Sequence, residues 1–158
     1  REPIMADNDR IAYDATYRFF IEIDSMSSPL RVKDVSGLKM TTKVTRVREG
    51  GNNEYEVAMI EGQTYEPLSL KKGFLAPDDC LYMWMNELHG ASPTSRTTVR
   101  IILLQDGEGG GTEDEIGTYE LYGAFISEYE GPSFDSTGKD IAFESIKIQY
   151  DYFEYYPA

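Results

Sequence analysis

The chain carries one thiol, Cys80, and one imidazole, His89, and these single copies limit its chemistry. Zinc sites built from several cysteines, disulfide frameworks and multi-histidine metal sites are excluded together. Serine hydrolysis needs a histidine base beside a carboxylate and a nucleophile on a strained Gly-x-Ser-x-Gly turn, and no such turn occurs. His89 reads as a solvent-facing residue at a helix end, and Cys80 as a small packing residue. The run Gly107-Glu108-Gly109-Gly110-Gly111-Thr112 has the glycines of a phosphate loop but not its Lys-Ser/Thr ending, and its glutamate would repel phosphate. It reads as a hairpin connection. Asp106, Glu108, Glu113, Asp114 and Glu115 supply oxygen ligands, but not at the spacing of a calcium loop. A glycosidase needs only two carboxylates, so with 28 acidic residues some pair is inevitable and none is singled out. Tyr150, Tyr152, Phe153, Tyr155 and Tyr156 could stack on sugars or bases. A contact between subunits is the first reading of them and ordinary strand packing the second. The expectation is a chain that is not an enzyme, with no catalytic, cofactor-binding or metal-binding residues.

The elements that would hold such residues are mostly strands. With 158 residues and 41% hydrophobic content, one domain over 1–158 suffices to bury a core, with a loose polar arm over 1–16. No apolar run reaches the ~20 residues of a membrane helix, and no leader-like pattern stands near the start; cytoplasmic synthesis is the expectation. A net charge of −13 argues against a surface that holds nucleic acid by its phosphates. Alternation predicts strands over Tyr17–Asp24, Met40–Val47, Tyr55–Met59, Tyr65–Lys72, Thr97–Gln105, Tyr119–Tyr129 and Ile141–Tyr152, with breaks at Gly62 and at Gly131-Pro132. A change of apolar face between Phe143 and Ile146 predicts a β-bulge near Glu144 and Ser145. One helix is predicted after Pro77 and Asp78, with Leu81, Trp84, Met85 and Leu88 on one stripe and Gly90 as its stop. Trp84 belongs to the core or to an interface. Met40–Val47 is polar on one side, which is tolerable where that side meets water or another subunit.

Between Arg48 and Gly73 stands a charged, glycine-paired loop followed by strand, turn and strand. Gly50 and Gly51 have free access to positive φ, and Asn52 and Asn53 tolerate it, so the loop suits a projecting hairpin tip. Such an arm beside a rigid sheet is a device for gripping a neighbouring copy.

This segment, with Glu49-Gly50-Gly51 and then Gly62, Tyr65, Pro67, Leu68, Leu70, Lys71, Lys72 and Gly73, resembles phage-type tail tube proteins of contractile tails and extracellular contractile injection systems. The resemblance continues in order from Phe19–Asp24 and Val35–Leu38 through Trp84, Val99–Gly107, Tyr119–Phe125 and Tyr129–Pro132 to Ile141–Ile148. It departs at Glu61 and Ile126, where the family pattern has proline, and at Lys72, where it has arginine. It implies a mainly β fold: a β-barrel of the tail-tube type with one flanking α-helix, assembling into hexameric rings, related to the haemolysin-coregulated protein of type VI secretion. The implied function is a structural inner tube subunit, its rings stacked into a hollow conduit for cargo. The implied partners are copies of itself, a sheath around the tube, baseplate and spike proteins at one end, a terminator or cap at the other, and cargo in the lumen, within a phage-tail-like particle. Neither specific nucleic acid binding nor membrane anchoring is implied. The arm Arg48, Glu49, Gly50, Gly51, Asn52, Asn53 and Glu54 is expected to contact the adjacent ring or subunit. Lys71 and Lys72 are expected to lie near a neighbour's carboxylates. The alternative is a monomeric acidic β-barrel that binds a small ligand or carbohydrate through its tyrosine-rich end.

Overall fold

The computed structural model describes residues 18–74, 78–90, 96–106, 113–138 and 140–158. Their strands are β1 (Arg18–Ile23), β2 (Asp34–Ser36), β3 (Met40–Val47), β4 (Val57–Tyr65), β5 (Leu68–Gly73), β6 (Thr97–Asp106), β7 (Glu113–Glu130), β8 (Phe143–Gln149) and β9 (Tyr152–Pro157), with one helix, α1 (Cys80–Gly90). The proposed arm over 1–16, Pro77 and the glycine run 107–112 lie outside the described residues, as do the side chains of His89, Asp106 and Glu113.

The 18-residue β7 organises the sheet because it changes partners along its length. Its first part pairs with β6 on one edge and, over Gly117–Tyr122, with β9 on the other. From Phe125 onward β8 takes the place of β9. The exchange falls at Gly123, which has φ 65° and lies so close to the Asp151 carboxylate that a Cβ would collide with it. The strand order is β1-β6-β7-β8-β5-β2, every pairing antiparallel. That path ends at β1 and β2 without closing, so a mainly β fold with one helix is present, but no closed barrel among the described residues.

Alternation places Ile21, Ile23, Leu68, Leu70, Val99, Ile101, Leu121, Ile126, Ile146 and Ile148 on inward faces, all of them in one core cluster. The helix covers this core with its stripe: Leu81 and Trp84 are buried, and Met85 and Leu88 pack beside them. Trp84 is therefore a core residue.

Two local expectations change, and the aromatic tail shows the strand packing that was its second reading. The strand break falls at Glu66-Pro67, where proline removes a ladder donor, and β4 runs straight through Gly62. Strand β8 has no bulge at Glu144: it pairs in unbroken register with β5, and Glu144 points inward with Ile146 and Ile148. The aromatic tail is strand β9, stacked on its own β7, with Tyr122 and Tyr152 ring centroids 4.7 Å apart and Tyr119 and Tyr155 also 4.7 Å apart.

Candidate assembly interface

Strands β3 and β4 form a separate two-stranded sheet that pairs with no other described strand. The hairpin continues the β2–β5 pair outward, since Ser36 faces Ser69 at the root and Met40 faces Tyr65 just beyond it. Gly37 makes this possible. It has φ 97°, and its Cα approaches the Pro67 carbonyl so closely that any Cβ would collide. The Glu66 amide donates to the Lys39 carbonyl at 3.1 Å, and the two side chains form an ion pair at 3.1 Å.

Every residue of β3 is exposed, and in β4 only the terminal Val57 and Tyr65 are partly covered. A register shift between Lys43 and Val44 leaves Glu61 as the extra residue beside Gly62, at φ 145°. Thr45 donates to Glu61 across this bulge, and Lys43 pairs with it at 3.6 Å. One face of the hairpin thus carries Met40, Thr42, Val44 and Arg46 opposite Tyr65, Gln63, Ile60 and Ala58. Ile60 is 80% exposed and Val44 49%. The other face carries Thr41, Lys43, Thr45 and Val47. The expected polar side is present, and on the side opposite it Val44 and Ile60 stand exposed while Tyr65 packs edge-on against Tyr150 and Phe153.

Arg48 to Glu54 form the tip, exposed except for the half-buried Asn52. The Asn52 amide donates to the Glu49 carbonyl at 3.2 Å, and the Asn52 side-chain oxygen accepts from the Glu54 amide at 3.1 Å, a local turn. Of the four residues able to take positive φ, Gly51 does so, at 93°. Gly50, Asn52 and Asn53 keep negative φ, because one left-handed residue completes the turn.

The structure separates Lys71 from Lys72. Lys71 is exposed, with its ammonium 5.3 Å from the centre of the Phe143 ring, beside Lys33 at 4.3 Å. Lys72 is turned into its own chain, only 6% exposed, against Asp78 and against Glu144 at 3.4 Å, instead of reaching outward as expected. Glu144, 2% exposed, also accepts from the Tyr129 hydroxyl at 3.0 Å. Burial alone would lower the Lys72 pKa, but the hydrogen bond to Asp78 and the nearby negative charges outweigh it and raise the pKa. Hydrogen bonds from Cys80 and Lys72 hold the Asp78 carboxyl down at about 2. Burial, then Asp78, pushes the Cys80 thiol up to about 11, which removes it as a nucleophile at neutral pH. The sequence did hold a signal for this cluster: Glu144 shares period-two parity with Ile146 and Ile148, so an inward carboxylate needs an inward cation. Among the described residues no group of three His, Cys, Asp or Glu side chains could hold a metal ion, and no helix is long and apolar enough to cross a membrane.

A family model described as T4-like virus tail tube protein gp19 matches residues 15–154. No curated protein matches the sequence. Among solved structures, the chain is similar to one in the tube-terminating cap of the anti-feeding prophage, with TM-score 0.80 and 22% identity over 99% of this chain and 100% of that one. It is also similar to a chain of the PVC extracellular contractile injection system sheath–tube complex in its extended state, with TM-score 0.78 and 24% identity over 94% and 95%. Hcp1 from Flavobacterium johnsoniae gives TM-score 0.57 and 10% identity over 89% and 96%. At these identities the likeness is one of fold.

Proposed function

We propose that this chain, which belongs to the T4-like virus tail tube family matched over residues 15–154, assembles through its β3–β4 hairpin into hexameric rings that stack as a hollow conduit. It is a structural tube subunit. The observation that carries the assembly reading is the hairpin itself: two strands that pair with no other described strand and expose Val44 and Ile60, rooted on a chain whose core lies elsewhere. An isolated hairpin is marginal in water, and its free N–H and C=O groups are a template for another strand. Copies arranged in a ring cover every such edge with the same contact.

The tip Arg48 to Glu54 and the exposed Lys71 are assigned to contacts with the adjacent subunit or ring. Lys72 serves the subunit's own fold. The solved relatives stand in baseplate, sheath–tube and cap complexes, which supports a sheath around this tube and end proteins at its termini, in a phage-tail-like particle that passes cargo. Negative-stain microscopy of the purified chain is the test. Six-fold rings or tubes with a central hole are expected; a species that sediments as a monomer at all concentrations refutes the proposal.

A further inference from the structure

The β3–β4 hairpin meets the body of the subunit at one narrow root. Gly37, Leu38 and Lys39 lead from β2 to β3, and Glu66 and Pro67 lead from β4 to β5, so both limbs leave the main sheet at the same level. Their closest approach, Gly37 against the Pro67 carbonyl, is the natural pivot, since hinges take up rotation in a few residues at the ends of elements. The backbone bond and the ion pair between Lys39 and Glu66 tie the two limbs to each other. No residue of β3 joins the core, and from β4 Tyr65 alone packs against it, edge-on to Tyr150 at 6.0 Å and to Phe153 at 5.3 Å between ring centroids.

The socket that receives Tyr65 carries an uncompensated cost. The Tyr65 hydroxyl donates to Gln63 on its own strand, at 3.4 Å, so it makes no polar bond to the body. In the socket the Tyr150 hydroxyl is buried with no partner among the described residues. After burial, the groups that raise the Tyr150 pKa are Tyr65 and Glu66, both at the foot of the hairpin, so the hairpin lies over this hydroxyl. Docking Tyr65 therefore gains aromatic contact while keeping from water a hydroxyl that nothing else satisfies. We infer that the hairpin is hinged at Gly37 and Pro67 and takes two populated positions in the free subunit, docked with Tyr65 between Tyr150 and Phe153, and undocked with that socket open to water. In the undocked position Tyr150 regains its hydration, which offsets the lost ring contacts and keeps the two positions close in free energy. Tyr65 is the latch, and the Tyr150 hydroxyl opposes it. Both positions belong to a single subunit, and a partner that binds the docked hairpin alone would draw the equilibrium to it.

The test is the distance between two spin labels in the full chain, one at Asn53→Cys in the tip and one at Ser127→Cys, exposed on β7, in a Cys80→Ala background. It is measured by double electron–electron resonance at concentrations where the subunit sediments as a monomer, and circular dichroism checks that each variant folds. Two distance populations are expected. Tyr150→Phe keeps the ring and removes the hydroxyl, so the ratio of undocked to docked is expected to fall by about fivefold or more. Tyr65→Ala removes the latch and is expected to raise that ratio by at least about tenfold. A single population in the labelled parent, an unchanged ratio in Tyr150→Phe, or a docked population that persists undiminished in Tyr65→Ala overturns the hinge. Because the subunit is measured unassembled, these outcomes leave the tube reading untouched; that reading fails on the absence of rings in micrographs.

Discussion

Replacing Lys72 by methionine tests whether the buried cluster holds the subunit together. The ammonium is 6% exposed and sits against Glu144, 2% exposed, at 3.4 Å. Methionine fills similar space but leaves the Glu144 carboxylate buried with one neutral donor, the Tyr129 hydroxyl at 3.0 Å. Removing one partner of a buried pair costs about 3–5 kcal/mol, most of it the stranded charge. For a domain of this size that lowers Tm by about 10 °C. Adding Glu144→Gln removes the charge while keeping a side chain that accepts from Tyr129, so the double variant is expected to regain about half of the loss or more. The pH profile gives a second readout. Asp78, at about 2 in the fold against an ordinary 3.8, contributes stability that is present above about pH 4 and lost as pH falls toward 2. Its side chain is 36% exposed, so after solvent screening this is under about 1 kcal/mol. Lys72 has a folded pKa raised above 10.5, and its contribution is complete below that value and lost as pH rises through the folded one. Wild type is thus expected to gain from this cluster between about pH 4 and about pH 10, and the Lys72→Met variant to lose its alkaline limb while the Cys80 hydrogen bonds keep part of the acid limb. The assay is urea or thermal unfolding of the unassembled subunit, since assembly would add stability of its own. A Lys72→Met variant within about 1 kcal/mol of wild type, or a double variant no better than the single, refutes the reasoning.

Gly37→Ala forces a Cβ into the Pro67 carbonyl at φ 97° and is expected to cost at least about 2 kcal/mol in unfolding and to abolish tubes. Tyr150 has a buried hydroxyl with no hydrogen-bond partner among the described residues and a pKa pushed up to about 12 by burial, so Tyr150→Phe is expected to leave stability unchanged or raise it by about 1 kcal/mol in the same assay. Ile60, 80% exposed, is expected to tolerate Ile60→Thr within about 0.5 kcal/mol of subunit stability while the variant assembles more weakly by sedimentation. Deleting Gly50 to Asn53 is expected to leave a folded subunit that forms no tubes in electron micrographs; normal tubes would remove the tip from the contact.

What local pattern determines was legible. Strands β1 and β3, and the α1 stripe of Leu81, Trp84, Met85 and Leu88, follow periodicity read directly from the residues. What depends on distant partners was not. Glu144 looks like a change of face only until Lys72, paired opposite it on β5, is known to supply the compensating charge. Which strand the tail tyrosines pack on is not legible until β7 proves long enough to serve β9 before β8. Gly62 looks like a strand end because glycine weakens strands, yet in β4 it accommodates a bulge, and the break falls where Pro67 removes a donor. At the hairpin, exposure of one polar side of β3 was legible, whereas exposure of the other side, with Val44 opposite Ile60, emerges only from the pairing across the bulge.

That exposed side explains why charge belongs on the hairpin. The core cluster takes no residue from β3 or β4, and Tyr65 alone packs against it from the hairpin, so the subunit gains little by ordering this ribbon by itself. An exposed strand pair with Val44, Met59 and Ile60 on its surface would otherwise accept any strand that arrives. Lysine and arginine along one edge and glutamate along the other make each edge unattractive to its own kind, while the bulge at Lys43 and Glu61 twists the ribbon away from flat stacking. Order in the hairpin and order in the assembly are then a single transition, and a variant that weakens the contact is expected to loosen β3 and β4 before it disturbs the core.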